Sequence, residues 1–187
     1  MTMTRIEQVR ALADVSAEDI ALVGNKAATL ATLKRAGFPV LEGVVLTTEA
    51  FDNALTAAGL INRRGGRTSR QCGCLPNWFK RFADGVQLLK TDRLAVRSSG
   101  VAEDLPDASY AGQYETVLNV PAADLASAVR RCWASAFSDQ VKAHGRTHSS
   151  DEQAALAVLI QPMVQAEAAG VAFSAGSDYR RPKHRRG

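Results

Sequence analysis

Three short clusters hold residue types suited to gripping a phosphorylated ligand. Gly24-Asn25-Lys26 heads an apolar helical pattern. At a helix start, backbone N–H groups and the positive end of the helix dipole attract phosphate, and a lysine adds a mobile cation. The spacing is not that of a P-loop: the upstream glycine is missing, and Ala27 stands where Ser or Thr would follow the lysine. Taken alone, Lys26 also fits a solvated lysine at a helix start.

The second cluster is Arg97-Ser98-Ser99-Gly100, followed by a Gly-, Pro-, Asp- and Ser-rich loop to Gly112. An arginine at a strand end can fork two N–H donors onto a pair of phosphate oxygens. A flexible loop beside it could fold over a polyphosphate and exclude water. An ion pair from Arg97 to Glu103 or Asp104 in an ordinary surface loop accounts for the same residues. The third cluster, Ile160-Gln161-Pro162-Met163-Val164, is a strand end turning into a connector. Its backbone could hydrogen-bond a purine edge while Met163 and Val164 pack on the ring; simple core packing is the alternative.

No residue stands out as a catalyst. His144 and His148 fall in a polar helix-end segment and His184 in the tail, so no Ser–His–acid or Cys–His arrangement can be argued. The cysteines Cys72, Cys74 and Cys132 lack the paired spacing of a zinc site, and Cys72-Gly73-Cys74 reads as a loop with two incidental thiols. No metal site is expected.

The elements that must position these clusters follow from periodicity. Lys26 to Ala36 is predicted helical, stopped by Gly37 and Pro39. Val40 to Leu46 is predicted as a strand leading to Thr47 or Thr48, either of which could cap a helix carrying Phe51 and Leu55 and ending at Gly59. Leu94 to Ser98 and Glu115 to Val120 read as strands. Pro121 is expected as the first residue of a long helix whose stripe is Leu125, Val129, Cys132, Trp133, Ala136, Phe137 and Val141. Leu156 to Gln161 and Gly170 to Phe173 read as two further strands. The alternation implies an α+β or mixed α/β fold.

Composition excludes the extremes. The chain has 187 residues, 46% hydrophobic and 22% charged, enough for one compact domain or two small lobes. Its longest apolar run, Ala154 to Ile160, is strand-sized and far short of a membrane helix. Met1 to Asp14 has no apolar core before a cleavage site, so the expected location is the cytoplasm. The net charge of +4 sits in residues 180–187, which hold Arg180, Arg181, Lys183, Arg185 and Arg186 and no acid, leaving the rest near −1. A nucleic-acid-binding reading would rest on this tail and on Arg63 to Arg70. No aromatic interleaving supports it, and such a tail is ordinarily a solvated end.

Together the clusters resemble the ATP-binding N-terminal domain of the phosphoenolpyruvate synthase and pyruvate phosphate dikinase family, which includes rifampicin phosphotransferase. The matching stretches are Val23 to Val40, Leu94 to Val120 (LAVRSSGVAEDLPDASYAGQYETVLNV) and Leu156 to Phe173. The resemblance implies the first part of an ATP-grasp domain, two lobes gripping one nucleotide. It implies that Lys26 and Arg97 contact ATP phosphates, that Gly112 and Thr116 line the pocket, and that Gln161 with its following backbone meets the adenine. It further implies transfer of the ATP β-phosphate to a histidine on a separate domain, and from there to pyruvate or another acceptor, with magnesium required.

Two regions depart from the pattern. Residues 61–80 are an atypical basic, glycine-rich loop, and after Ala175 the expected second lobe gives way to an arginine-rich run. The expected organisation is a partial ATP-binding domain over residues 1–175 and a disordered basic tail over 176–187, from a truncated, frameshifted or fragmentary product. Magnesium ligands, phosphohistidine and acceptor domain would lie outside the chain, and another chain could supply the domains. A non-catalytic nucleotide-binding remnant is the competing expectation.

Overall fold

A computed structural model describes residues 8–59, 61–62, 66–67, 82, 86, 89–101, 104–105, 108–109, 114–137 and 155–170. The 176–187 tail, nearly all of the 61–80 loop, Gly112, Cys72, Cys74, the three histidines and residues 171–173 of the last expected strand lie outside them.

Nine strands are described: β1 (Val9–Ala11), β2 (Val44–Leu46), β3 (Ile61–Asn62), β4 (Gly66–Arg67), β5 (Arg93–Gly100), β6 (Asp104–Leu105), β7 (Ala108–Ser109), β8 (Thr116–Pro121) and β9 (Leu156–Pro162). Helices are α1 (Ile20–Arg35), α2 (Thr48–Ala57) and α3 (Leu125–Ser135). Five strands form one sheet in the order β1-β2-β9-β5-β8, and every pairing in it is antiparallel. The chain is therefore α+β. The pairs β3–β4 and β6–β7 are separate two-stranded ribbons.

The sheet is covered on both faces. On one, α2 and α3 bring Phe51, Leu55, Val129 and Trp133 onto Leu46, Leu94, Val96, Val158 and Ile160. On the other, α1 brings Val23, Ala27, Ala28 and Ala31 onto Val45, Ala157 and Leu159. The unbroken apolar run of β9 follows from this: a central strand buried on both faces has no solvent side on which to alternate. All five residues from Leu156 to Ile160 are fully buried, at roughly 1.5–3 kcal/mol for each large side chain.

Local signals account for most boundaries. Gly37, at φ 87°, ends α1: its N–H donates to Lys34 O and that of Phe38 to Leu33 O, the paired closure that a left-handed residue after a helix permits. Thr47 Oγ1 accepts from Ala50 N and caps α2, whereas Thr48 Oγ1 donates across to Ala21 O. Gly59, at φ 69°, closes that helix.

Several expectations need correction. The strand predicted from Val40 shrinks to Val44–Leu46, because Val40 N donates to Phe38 O in a turn. Pro121 belongs to β8 in extended backbone, and a short 3-10 turn, Ala122–Asp124, separates it from α3. Phe137 is 37% exposed beyond the end of α3, although its ring packs 6.0 Å from Phe51. Gly170 stands outside any strand.

Candidate nucleotide site

The helix head and the end of β5, separated by 72 residues, meet. α1 runs from Ile20 to Arg35 but breaks at Gly24, whose φ of 75° and ψ of 166° are not helical. The segment that begins there is the helix expected from the Gly24-Asn25-Lys26 motif. Only glycine fits the break: a Cβ on Gly24 would lie 2.1 Å from the carbonyl oxygen of Ser99.

Each residue around the break touches β5 or the residue after it. Asn25 Nδ2 donates to Val101 O at 3.0 Å, and Lys26 Nζ donates to Ser98 O at 2.6 Å. The buried Ser99 hydroxyl donates to Val23 O at 2.8 Å and accepts from Ala27 N at 3.1 Å. One helix-mouth N–H is thus already occupied by a serine, so attraction of an anion to this corner falls mainly to the lysine.

Strand pairing places the other residues. Alternation along β5 puts Leu94 and Val96 on the α2–α3 face and Ala95, Arg97 and Ser99 on the α1 face. Arg97 is paired directly with Thr116 on β8 and with Leu159 on β9. Cross-strand partners share a face, so the half-buried Arg97 and exposed Thr116 stand side by side facing the α1 layer. Lys26 reaches the very next carbonyl of β5. Three sequence-predicted residues, Lys26, Arg97 and Thr116, therefore gather at one end of the β5–β8 ladder.

Gln161 lies on the same face, paired with Ala95, one side-chain step along the sheet. It is 6% exposed, and its Nε2 donates to Leu41 O at 3.2 Å. Its amide anchors the connector before β2. The Met163 N–H donates to Arg93 O at 2.9 Å, so the start of the following backbone is also engaged. Gly112 lies outside the described residues.

Beneath this corner runs a polar network not foreseen from the sequence. Ser98 receives Lys26 on its carbonyl and donates from both its N–H and its hydroxyl to Glu115 O. The Glu115 carboxylate pairs with Arg131 of α3, and Glu115 N donates to Ser135 Oγ. Cys132 Sγ points at Val96 O and Glu115 O, and burial pushes its thiol up to about 11 against an opposing hydrogen bond from Ser98. It is a packed thiol, not a nucleophile. The signal available in the sequence was alternation: once Val96 is assigned to the core, Ser98 must share its face and Ser99 must face α1.

Comparison with known proteins identifies the family. The model of the pyruvate phosphate dikinase AMP/ATP-binding domain matches residues 77–183. A probable phosphoenolpyruvate synthase of Methanothermobacter thermautotrophicus is 30% identical over 90% of this chain and 29% of its own length. One from Archaeoglobus fulgidus is 32% identical over 87% of this chain and 25% of its own length. The rifampicin phosphotransferase of Streptomyces sviceus is 31% identical over 88% of this chain and 22% of its own length. The chain thus spans under a third of the length of these relatives. With this family match over more than half its length, the chain belongs to the pyruvate phosphate dikinase AMP/ATP-binding domain family.

Proposed function

We propose that this chain supplies part of an ATP site, the first portion of an ATP-grasp domain, in a phosphotransferase of the phosphoenolpyruvate synthase and pyruvate phosphate dikinase type. The observation that carries this reading is the meeting of Lys26, Ser98, Arg97 and Thr116 at one corner of the sheet. Two cations on adjacent elements can divide the charge of a polyphosphate between them. Arg97 would hold it through its planar fork and Lys26 as a point charge able to swing from Ser98 O to a phosphate oxygen. Thr116 would contribute a hydroxyl beside Arg97, and Gly112, four residues before it in the sequence, would line the same pocket.

Gln161 acts in this reading through the strand it anchors. The Met163 N–H on Arg93 O ties the start of the connector after β9 to the sheet, and the Met163 carbonyl and Val164 would meet an adenine from there. Transfer of the β-phosphate to a histidine on another domain, and onward to pyruvate or another acceptor, belongs to the larger protein. The nucleotide portion would contribute in-line positioning and charge neutralisation. Among the described residues no group of three or more His, Cys, Asp or Glu side chains could hold a metal ion. Magnesium finds no donor set there, and no step is assigned to it.

The test is incubation of the purified chain with ATP labelled at the α-position. Saturable ATP binding lost in both Lys26→Ala and Arg97→Ala supports the site, and AMP release would add catalysis. Binding without AMP release favours a nucleotide-binding module. Unchanged affinity in both variants would refute the nucleotide reading.

A further inference from the structure

In an uninterrupted helix, Ala27 N–H would donate to Val23 C=O four residues earlier. In α1 that bond is replaced. The Ser99 hydroxyl of β5 stands between the two groups, accepting from Ala27 N at 3.1 Å and donating to Val23 O at 2.8 Å. A side chain inserted into the helical ladder is a recognised cause of a sharp break, and Gly24 supplies the positive φ that lets the chain open around it. The opened turn contains Gly24, Asn25 and Lys26. Asn25 and Lys26 are also the residues that reach along the end of β5, to Val101 O and Ser98 O.

From this insertion we infer that Ser99 is a positioning residue for nucleotide binding. Its buried hydroxyl holds α1 open at Gly24, so that Lys26 reaches the Ser98 carbonyl, next to Arg97 on β5, rather than running along the helix. The inference rests on the nucleotide reading and deepens it: Ser99 itself touches no phosphate and acts through Lys26. Without the hydroxyl, Val23 O and Ala27 N are buried without a partner or close on each other. In the second case the helix rewinds and the Lys26 side chain is re-aimed.

The test is a double-mutant cycle on ATP affinity, measured by calorimetric titration well below the melting temperature of each variant. Lys26→Ala and Ser99→Ala are each expected to weaken binding about tenfold, and the double variant also about tenfold rather than about a hundredfold, because residues acting through one contact are not additive. A purely structural role for Ser99 predicts a lower melting temperature with additive losses in affinity, and additivity overturns the inference. So does wild-type affinity in Ser99→Ala. If Ser99→Ala does not fold, Ser99→Cys keeps a weak donor and acceptor in place, and the same non-additivity is expected at smaller amplitude. Unchanged affinity in Lys26→Ala, or additive loss in Ser99→Ala, sinks only the positioning role; the nucleotide reading itself fails when Lys26→Ala and Arg97→Ala both leave affinity unchanged.

Discussion

Ser98 and Ser99 are neighbours in sequence but serve opposite faces of the sheet. Ser98 ties β5 to Glu115 and the α3 layer, while Ser99 opens α1. In the proposed nucleotide reading, Arg97 and Lys26 are the cations that an anionic ligand would meet at this corner. Replacing Arg97 by Lys keeps the charge but loses the planar fork, so ATP affinity should fall by about 1–2 kcal/mol, a loss that titration would register directly. Cys132 offers a contrasting check. Its thiol is buried and pushed up to about 11, so iodoacetamide at pH 8 should leave it unlabelled until denaturant is added, as peptide mass spectrometry would show. Asp52 is displaced in the same direction, raised first by burial and then by the neighbouring Glu49 charge. A carboxyl raised on folding penalises the folded state once it ionises, and the penalty disappears as pH falls through its folded value. Asp52→Asn should therefore raise the melting temperature at pH 7 and make no difference near pH 3.

At the scale of elements, Gly24 is the most constrained position. Its φ is positive, and any Cβ would meet backbone atoms of Ser99. Gly24→Ala should destabilise the chain by more than about 2 kcal/mol, read as a fall in denaturation midpoint, because strain and a backbone clash act together. Much of the element plan was legible in residue types: Gly37 and Gly59 as helix stops, Thr47 or Thr48 as a cap, and Leu156 to Gln161 as a strand. Other features depended on distant partners. β1 has only three residues and is specified by its pairing with β2. The break in α1 needs the hydroxyl of a residue 72 positions away, and helical periodicity alone carries no trace of it. The site was partly readable for the same reason. Lys26 and Arg97 stand out by type and position, whereas the Gln161 amide is directed to Leu41 O by a tertiary contact.

For the whole molecule, one sheet with helices on both faces is enough to bring two remote motifs to a common corner. β5, which sits between β9 and β8, gives Leu94 and Val96 to the α2–α3 core and meets α1 through the hydrogen bonds of Ser98 and Ser99. The relatives are more than three times as long as the region matched here, so phosphotransfer and acceptor choice are properties to be sought in the larger protein. No helix among the described residues is long and apolar enough to cross a membrane. In the proposed site one ATP molecule bridges the head of α1 and the end of β5. A crystal structure of the chain with ATP tests this most directly. Phosphate oxygens within hydrogen-bonding distance of both Lys26 Nζ and the Arg97 guanidinium are the predicted result. A nucleotide bound elsewhere, with Lys26 still on Ser98 O and Arg97 facing solvent, would contradict it.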